Sequence, residues 1–125
     1  MSKFEFWLDI HCADGPACTM FGEVDLPVRP QVGERISFFQ GKGSAYEFQV
    51  MMTNVDFQQT NIVSVEVDEI SHYGSPNENG VSFKSVLRAR ELTVATIEDA
   101  RVVRDFLSTQ SGLAVDPYGL NRLDE

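Results

Sequence analysis

The residues best suited to chemistry in this sequence are two cysteines and two histidines. His11 and Cys12 are adjacent, Cys18 follows beyond Asp14 and a Gly-Pro pair, and His72 lies far along the chain. Zinc sites take four ligands, commonly with two to four residues between paired cysteines. Five residues separate these two cysteines, and the chain has no second pair. The four residues are therefore metal candidates without a zinc motif, and two reduced cysteines with no cofactor are the favoured interpretation.

Cys12 is also the candidate for a catalytic nucleophile. A cysteine nucleophile needs a base within hydrogen-bonding reach, and His11 is its neighbour in sequence. Neighbours on a strand point to opposite faces, so His11 is badly placed, and His72 could act only through a tertiary contact. We therefore expect a protein that is not an enzyme. An enzyme that uses Cys12 or a cluster of Asp and Glu residues is the less favoured alternative.

Acidic side chains and the single tryptophan form a second group of candidates. Glu66 and Asp68 share one face of a predicted strand, and Glu47 adds to the acidic surface. Paired carboxylates can bind hard cations, but a solvated strand face explains them as well. Trp7 falls on the polar face of the first strand, and an exposed tryptophan is a frequent anchor for a partner. We predict an interaction surface that includes Trp7, Glu47, Glu66 and Asp68.

Strands must position most of these residues. Alternating apolar and polar residues predict six strands near residues 4–10, 19–26, 35–40, 46–55, 62–70 and 81–90. Gly22 predicts a bulge in the second strand. The polar stretch 71–80, rich in glycine and proline, predicts an exposed loop.

A stiff connector lies between the second and third strands. Pro27 and Pro30 hold the backbone extended, and Gly33 permits a sharp turn before the next strand begins. This segment, from Leu26 to Ile36, is predicted to be the corner at which the sheet bends.

One helix is predicted near the C-terminus. Thr96 suits an N-cap, acids follow in the first turn, and apolar residues then recur at helical spacing to about residue 110. Gly112 is the expected C′ residue. The prediction is a single α+β domain over residues 1–125: β-rich to 95, helical over about 97–110, with a tail over 113–125. Its sheet is small, strongly bent and mainly antiparallel, or a partly open barrel, with about six strands.

The charge balance restricts the classes of partner. The net charge is −9, and residues 1–80 carry −8 of it. This balance disfavours nucleic acids and anionic membranes, both of which attract Lys and Arg. No apolar run of membrane-spanning length and no secretory signal is visible in the sequence, so a cytoplasmic location is expected.

The function that follows is a protein-interaction module with an acidic surface. A basic protein is the expected partner, and an immunity- or inhibitor-like role is one concrete form of it. The alternative is a module that binds a small ligand in a pocket of the curved sheet. Exposed strand edges also permit a homodimer.

Overall fold

The computed structural model describes residues 2–39, 49–52, 57–60 and 62–123. The strands are β1 (Ser2–Cys12), β2 (Gly15–Leu26), β3 (Arg35–Phe39), β4 (Gln49–Met52), β5 (Phe57–Thr60), β6 (Ile62–Asn77), β7 (Gly80–Ala89), β8 (Leu92–Thr93) and β9 (Ala114–Val115). The helix in the described residues is α1 (Ile97–Gln110), which confirms the predicted helix. It is neither long nor apolar enough to span a membrane.

The described strands form a curled, mixed sheet shaped like half a barrel. Its order is β3-β6-β7-β1-β2-β9, with β8 beside the end of β1, while β4 and β5 pair separately. Strand β1 runs parallel to β7 and β8, and the other pairs are antiparallel. The predicted α+β class and the bent, mainly antiparallel sheet are confirmed. The parallel pairs need no helical crossover, because strands β2 to β6 carry the chain back to β1.

One face of the sheet holds the core. Alternate residues of β1 from Phe4 to Ile10 are buried, as the period-two pattern requires. The helix covers this face with four buried side chains: Ala100, Val103, Phe106 and Leu107. Its start is fixed by Thr96, whose Oγ1 accepts a hydrogen bond of 3.1 Å from the Asp99 N–H. The core therefore lies between α1 and the concave face of the sheet.

The irregularities of the sheet differ from the prediction. Register shifts occur between Ile10 and His11 and between Val67 and Glu69, whereas Gly22 pairs regularly with Phe6. Gly22 serves a different purpose, because a Cβ there would lie 2.7 Å from Leu113 Cδ2. The missing side chain lets the C-terminal tail lie directly on β2.

The predicted loop over residues 71–80 is wrong. Residues up to Asn77 extend β6, and β7 begins at Gly80, so most of this stretch is a paired hairpin. Glu78 and Asn79 form the turn, and the Asn77 side chain accepts a hydrogen bond from the Asn79 N–H. The hairpin is polar because its side chains are exposed, which the composition alone did not distinguish from a loop.

The connector runs alongside β6. Gly33 has a φ of 95°, which favours glycine, and its N–H donates to the Val67 carbonyl at 2.8 Å. The Val67 N–H in turn donates to the Glu34 carbonyl at 2.8 Å. Further back, the Arg29 guanidinium lies 3.3 Å from His72 Nε2. The connector thus turns at Gly33 and lies beside the edge of β6.

Candidate functional site

The structure does not gather the four metal candidates. Cys12 and Cys18 are buried, free thiols on β1 and β2, and His11 is half-buried on β1. His72 lies on β6, paired with Ser85 of β7, about 20 Å along the strands from His11. Among the described residues, no three Cys, His, Asp or Glu side chains are placed to hold a metal ion.

Both ring nitrogens of His72 already have partners. The Arg29 guanidinium can only donate, so His72 Nε2 accepts from it. The Nδ1–H of His72 then donates to Ser85 Oγ at 2.8 Å. His72 therefore ties the connector to the hairpin and has no free nitrogen for a metal or for Cys12.

Cys12, although buried, lines an open cleft of about 430 Å³ at the start of α1. Burial, with a smaller contribution from Asp14, raises the pKa of Cys12, which keeps the sulfur protonated at neutral pH. A protonated thiol is a poor nucleophile.

Two arginines in the same cleft hold the C-terminal tail. Arg122 contacts both carboxylate oxygens of Asp14, at 2.9 and 3.2 Å, and donates to the Pro16 carbonyl at 3.0 Å. Arg101 donates through Nε to the Leu123 carbonyl at 3.0 Å. The contact with Arg122 lowers the pKa of Asp14, chiefly through the hydrogen bond between the two side chains. The side chains that line the cleft therefore bind the C-terminal tail to the β1–β2 turn, β2 and α1.

Trp7 lies on the face of the sheet opposite the helix. Its ring stacks on Phe21 across the β1–β2 pair, with centroids 5.0 Å apart and planes 18° apart. Both residues are half-buried. The predicted position of Trp7 on the polar face is confirmed, and no described helix covers it. We call this surface the outer face.

Pairing across the sheet places Trp7 in a row of outward-facing residues. The register aligns one residue from each of four neighbouring strands: Glu69, Arg88, Trp7 and Phe21. Neighbouring strands are about 4.8 Å apart, so Glu69 lies about 10 Å from Trp7. The row therefore extends from the aromatic pair, Trp7 and Phe21, to an acidic residue on β6, Glu69.

Ion pairs satisfy most charges along β1. Lys84 contacts Glu5 at 2.9 Å, Arg88 contacts Asp9 at 3.7 Å, and Lys3 contacts Glu23 at 3.4 Å, and the two residues of each pair lie on neighbouring strands. The hydrogen bond from Lys84 is the main cause of the lowered pKa of Glu5. The outer face near Trp7 is consequently close to neutral.

A cluster of exposed carboxylates without ion pairs lies at one corner of the sheet. Around Val67, the bulge in β6 and the turn of the connector bring together the exposed residues Glu34, Asp68 and Glu69. We call these three residues the acidic corner. None of them forms an ion pair within the described ranges, whereas Glu66 pairs with Arg90 at 3.6 Å.

The structure describes three of the four residues of the predicted interaction surface. Asp68 belongs to the acidic corner, Glu66 is half-buried beside it, and Glu47 lies outside the described residues. Sequence reasoning missed Phe21, because its partnership with Trp7 depends on strand register. It also missed Glu34, because a contact between the connector and β6 is tertiary.

Comparison with known proteins found no match to this chain. No family model matches the chain, and neither a curated protein nor a solved structure matches it.

Proposed function

We propose that this chain is a protein-binding domain that holds a basic partner against the outer face. The observation that carries the proposal is the Trp7–Phe21 stack on a sheet face that no described helix covers. Stacked aromatic rings supply a rigid apolar anchor, and tryptophan is prominent among residues that dominate binding energies.

The acidic corner supports a basic partner. Its three carboxylates are exposed, and none of them forms an ion pair within the described residues. A basic patch on a partner would complement them while an apolar group covers Trp7, about 10 Å away. The chain's net charge of −9 would also accelerate the encounter with a basic protein. An immunity- or inhibitor-like role is one form of this function.

The experiment is affinity capture on the immobilised chain at about 50 mM and about 500 mM salt. The expected result is a basic protein that wild type retains at low salt and releases at high salt. The purified partner is then titrated while Trp7 fluorescence, the only tryptophan signal of the chain, is recorded. Trp7→Ala should weaken binding at least about tenfold, as expected of a central aromatic anchor.

A matched pair of double variants tests the acidic corner. Asp68→Asn with Glu69→Gln removes two charges from the corner, and Asp25→Asn with Glu78→Gln removes two exposed charges elsewhere. Only the corner variant should lose most of the salt-dependent binding. Equal binding by both double variants, or recovery of no basic partner, would contradict the proposal.

Binding of a small ligand remains the second hypothesis. Its expected site, the concave face, is packed with buried side chains from the sheet and α1 in the described residues. The outer face therefore supports the protein-binding proposal better than the concave face supports a ligand pocket.

A further inference from the structure

The hairpin of β6 and β7 extends beyond the rest of the sheet. Pairing of β7 with β1 starts at Val86, opposite Glu5, so the earlier residues of β7 have no hydrogen-bonded strand on that side among the described residues. An open cleft of about 370 Å³ separates Phe83 and Lys84 from the first residues of β1. Every residue from His72 to Lys84 is exposed. Two apolar side chains on one face of β7, Val81 and Phe83, are 59% and 71% exposed.

The two edges of this hairpin differ in what lies beside them. The connector runs beside β6, where Gly33 and Glu34 bond to Val67. The open edge of β7 has neither proline nor an unpaired charge, since Lys84 is engaged by Glu5. Proteins usually prevent exposed edge strands from pairing with other chains by means of prolines, charges or covering segments. The start of β7 has none of these among the described residues.

The register shows which backbone groups point outward. Asn77 and Gly80 close a two-residue turn, and such a closing pair is hydrogen-bonded. Alternation then places Val81 and Phe83 in pairs that are not hydrogen-bonded to β6, so their N–H and C=O groups point to the open edge. Proline at position 76, opposite Val81, agrees with this alternation because it lacks an N–H.

We propose that two copies of this chain pair through the open edges of β7, antiparallel, with Ser82 on the two-fold axis. This register places Val81 opposite Phe83 of the second copy, and the reverse. Each of these two pairs exchanges two backbone hydrogen bonds, because all the groups concerned point outward. The side chains form two aromatic–aliphatic pairs on one face, a favourable cross-strand combination. The edge is therefore complementary to itself.

Charge favours a second copy at this edge over a basic protein. Residues 70–84 hold one acid, Glu78, and one base, Lys84, in a chain of net charge −9. Two copies repel one another through most of their surfaces, and this neutral hairpin is where that repulsion is weakest. A basic partner would find no excess of negative charge there. This inference does not rest on the proposed function.

The test is sedimentation equilibrium of the full chain from about 5 µM to about 1 mM, because so small an interface implies weak association. The wild-type mass should rise from 14.0 kDa towards twice that value. Added salt should strengthen association by screening the repulsion, whereas it should weaken binding of a basic partner. This opposite response distinguishes failure of this inference from failure of the proposed function.

Two lysine substitutions provide the matched comparison. Phe83→Lys removes both aromatic–aliphatic pairs of the symmetric dimer and should weaken dimerisation by about two- to thirtyfold. Tyr73→Lys adds the same charge at a residue that is 58% exposed on β6, and should leave dimerisation unchanged. Circular dichroism should show both variants folded, because neither residue belongs to the core.

A mixing experiment tests the register. In a mixed dimer, Phe83→Lys on one copy lies opposite Val81→Glu on the other, and the remaining Val81–Phe83 pair is intact. Equimolar mixing of the two variants should therefore restore association that is weakened in each variant alone. A mass that stays at 14.0 kDa for wild type at every concentration would overturn the proposal. Equal loss with Tyr73→Lys, or no restoration on mixing, would overturn it as well.

Discussion

The contact between Gly22 and the C-terminal tail makes a sharp prediction for stability. A Cβ at position 22 would lie 2.7 Å from Leu113 Cδ2, 3.3 Å from Leu113 Cα and 3.4 Å from the Gly112 carbonyl oxygen. Leu113 is only 2% exposed, so its side chain has little room to move away. Gly22→Ala should therefore overpack the site.

The magnitude follows from two opposing effects. Overpacking of a filled core costs about 1–3 kcal/mol. Replacing glycine by alanine restricts the unfolded chain and stabilises by about 0.4–1 kcal/mol where the backbone permits it. The Gly22 backbone is not in the left-handed region, so this offset applies. The free energy of unfolding should fall by about 1–2 kcal/mol, and Tm by about 4–8 °C.

The assay is urea denaturation, with Gly74→Ala as the matched control. A Cβ at position 74 would lie 2.9 Å from Val81 Cγ1 and 3.0 Å from Phe83 Cε1, a similar overlap. Those side chains are exposed and can swing into solvent, so the control should cost less than about 0.5 kcal/mol. Leu113→Ala should also reduce the cost of Gly22→Ala in the double variant. Equal destabilisation by the two alanines would refute this reasoning, since room to relax would then not matter.

Two further predictions concern the connector and the tail. Gly33→Val should destabilise the fold by about 1–3 kcal/mol, because valine is strained at a φ of 95° although open space surrounds the site; an unchanged urea midpoint would contradict this. Asp14→Asn removes a carboxylate whose pKa is lowered by Arg122. A lowered pKa stabilises the folded state above the ordinary value of 3.8, and this stabilisation is lost as the pH falls through the lowered pKa. The Tm of Asp14→Asn should therefore lie below that of wild type at neutral pH, and the gap should close in acid; a gap independent of pH would argue against the ion pair.

Local patterns in the sequence determined the elements whose signals are themselves local. The alternation from Phe4 to Ile10 specified the buried face of β1, because successive side chains of a strand point to opposite faces. Thr96 and Gly112 fixed the ends of α1, since caps act on the adjacent backbone groups. The α+β class followed from the order of these elements.

Only the tertiary structure decided how distant strands meet. The pairing of β1 with β7 joins segments at opposite ends of the β-rich region, and no local pattern encodes which residues then align. That register places Trp7 beside Arg88 and forms the row that leads to Glu69. Residues 71–77 were predicted to belong to a loop for a different reason, because exposed strands and loops share a polar composition. The sequence thus determined which residues face the core, while strand pairing decided which exposed residues form a common surface.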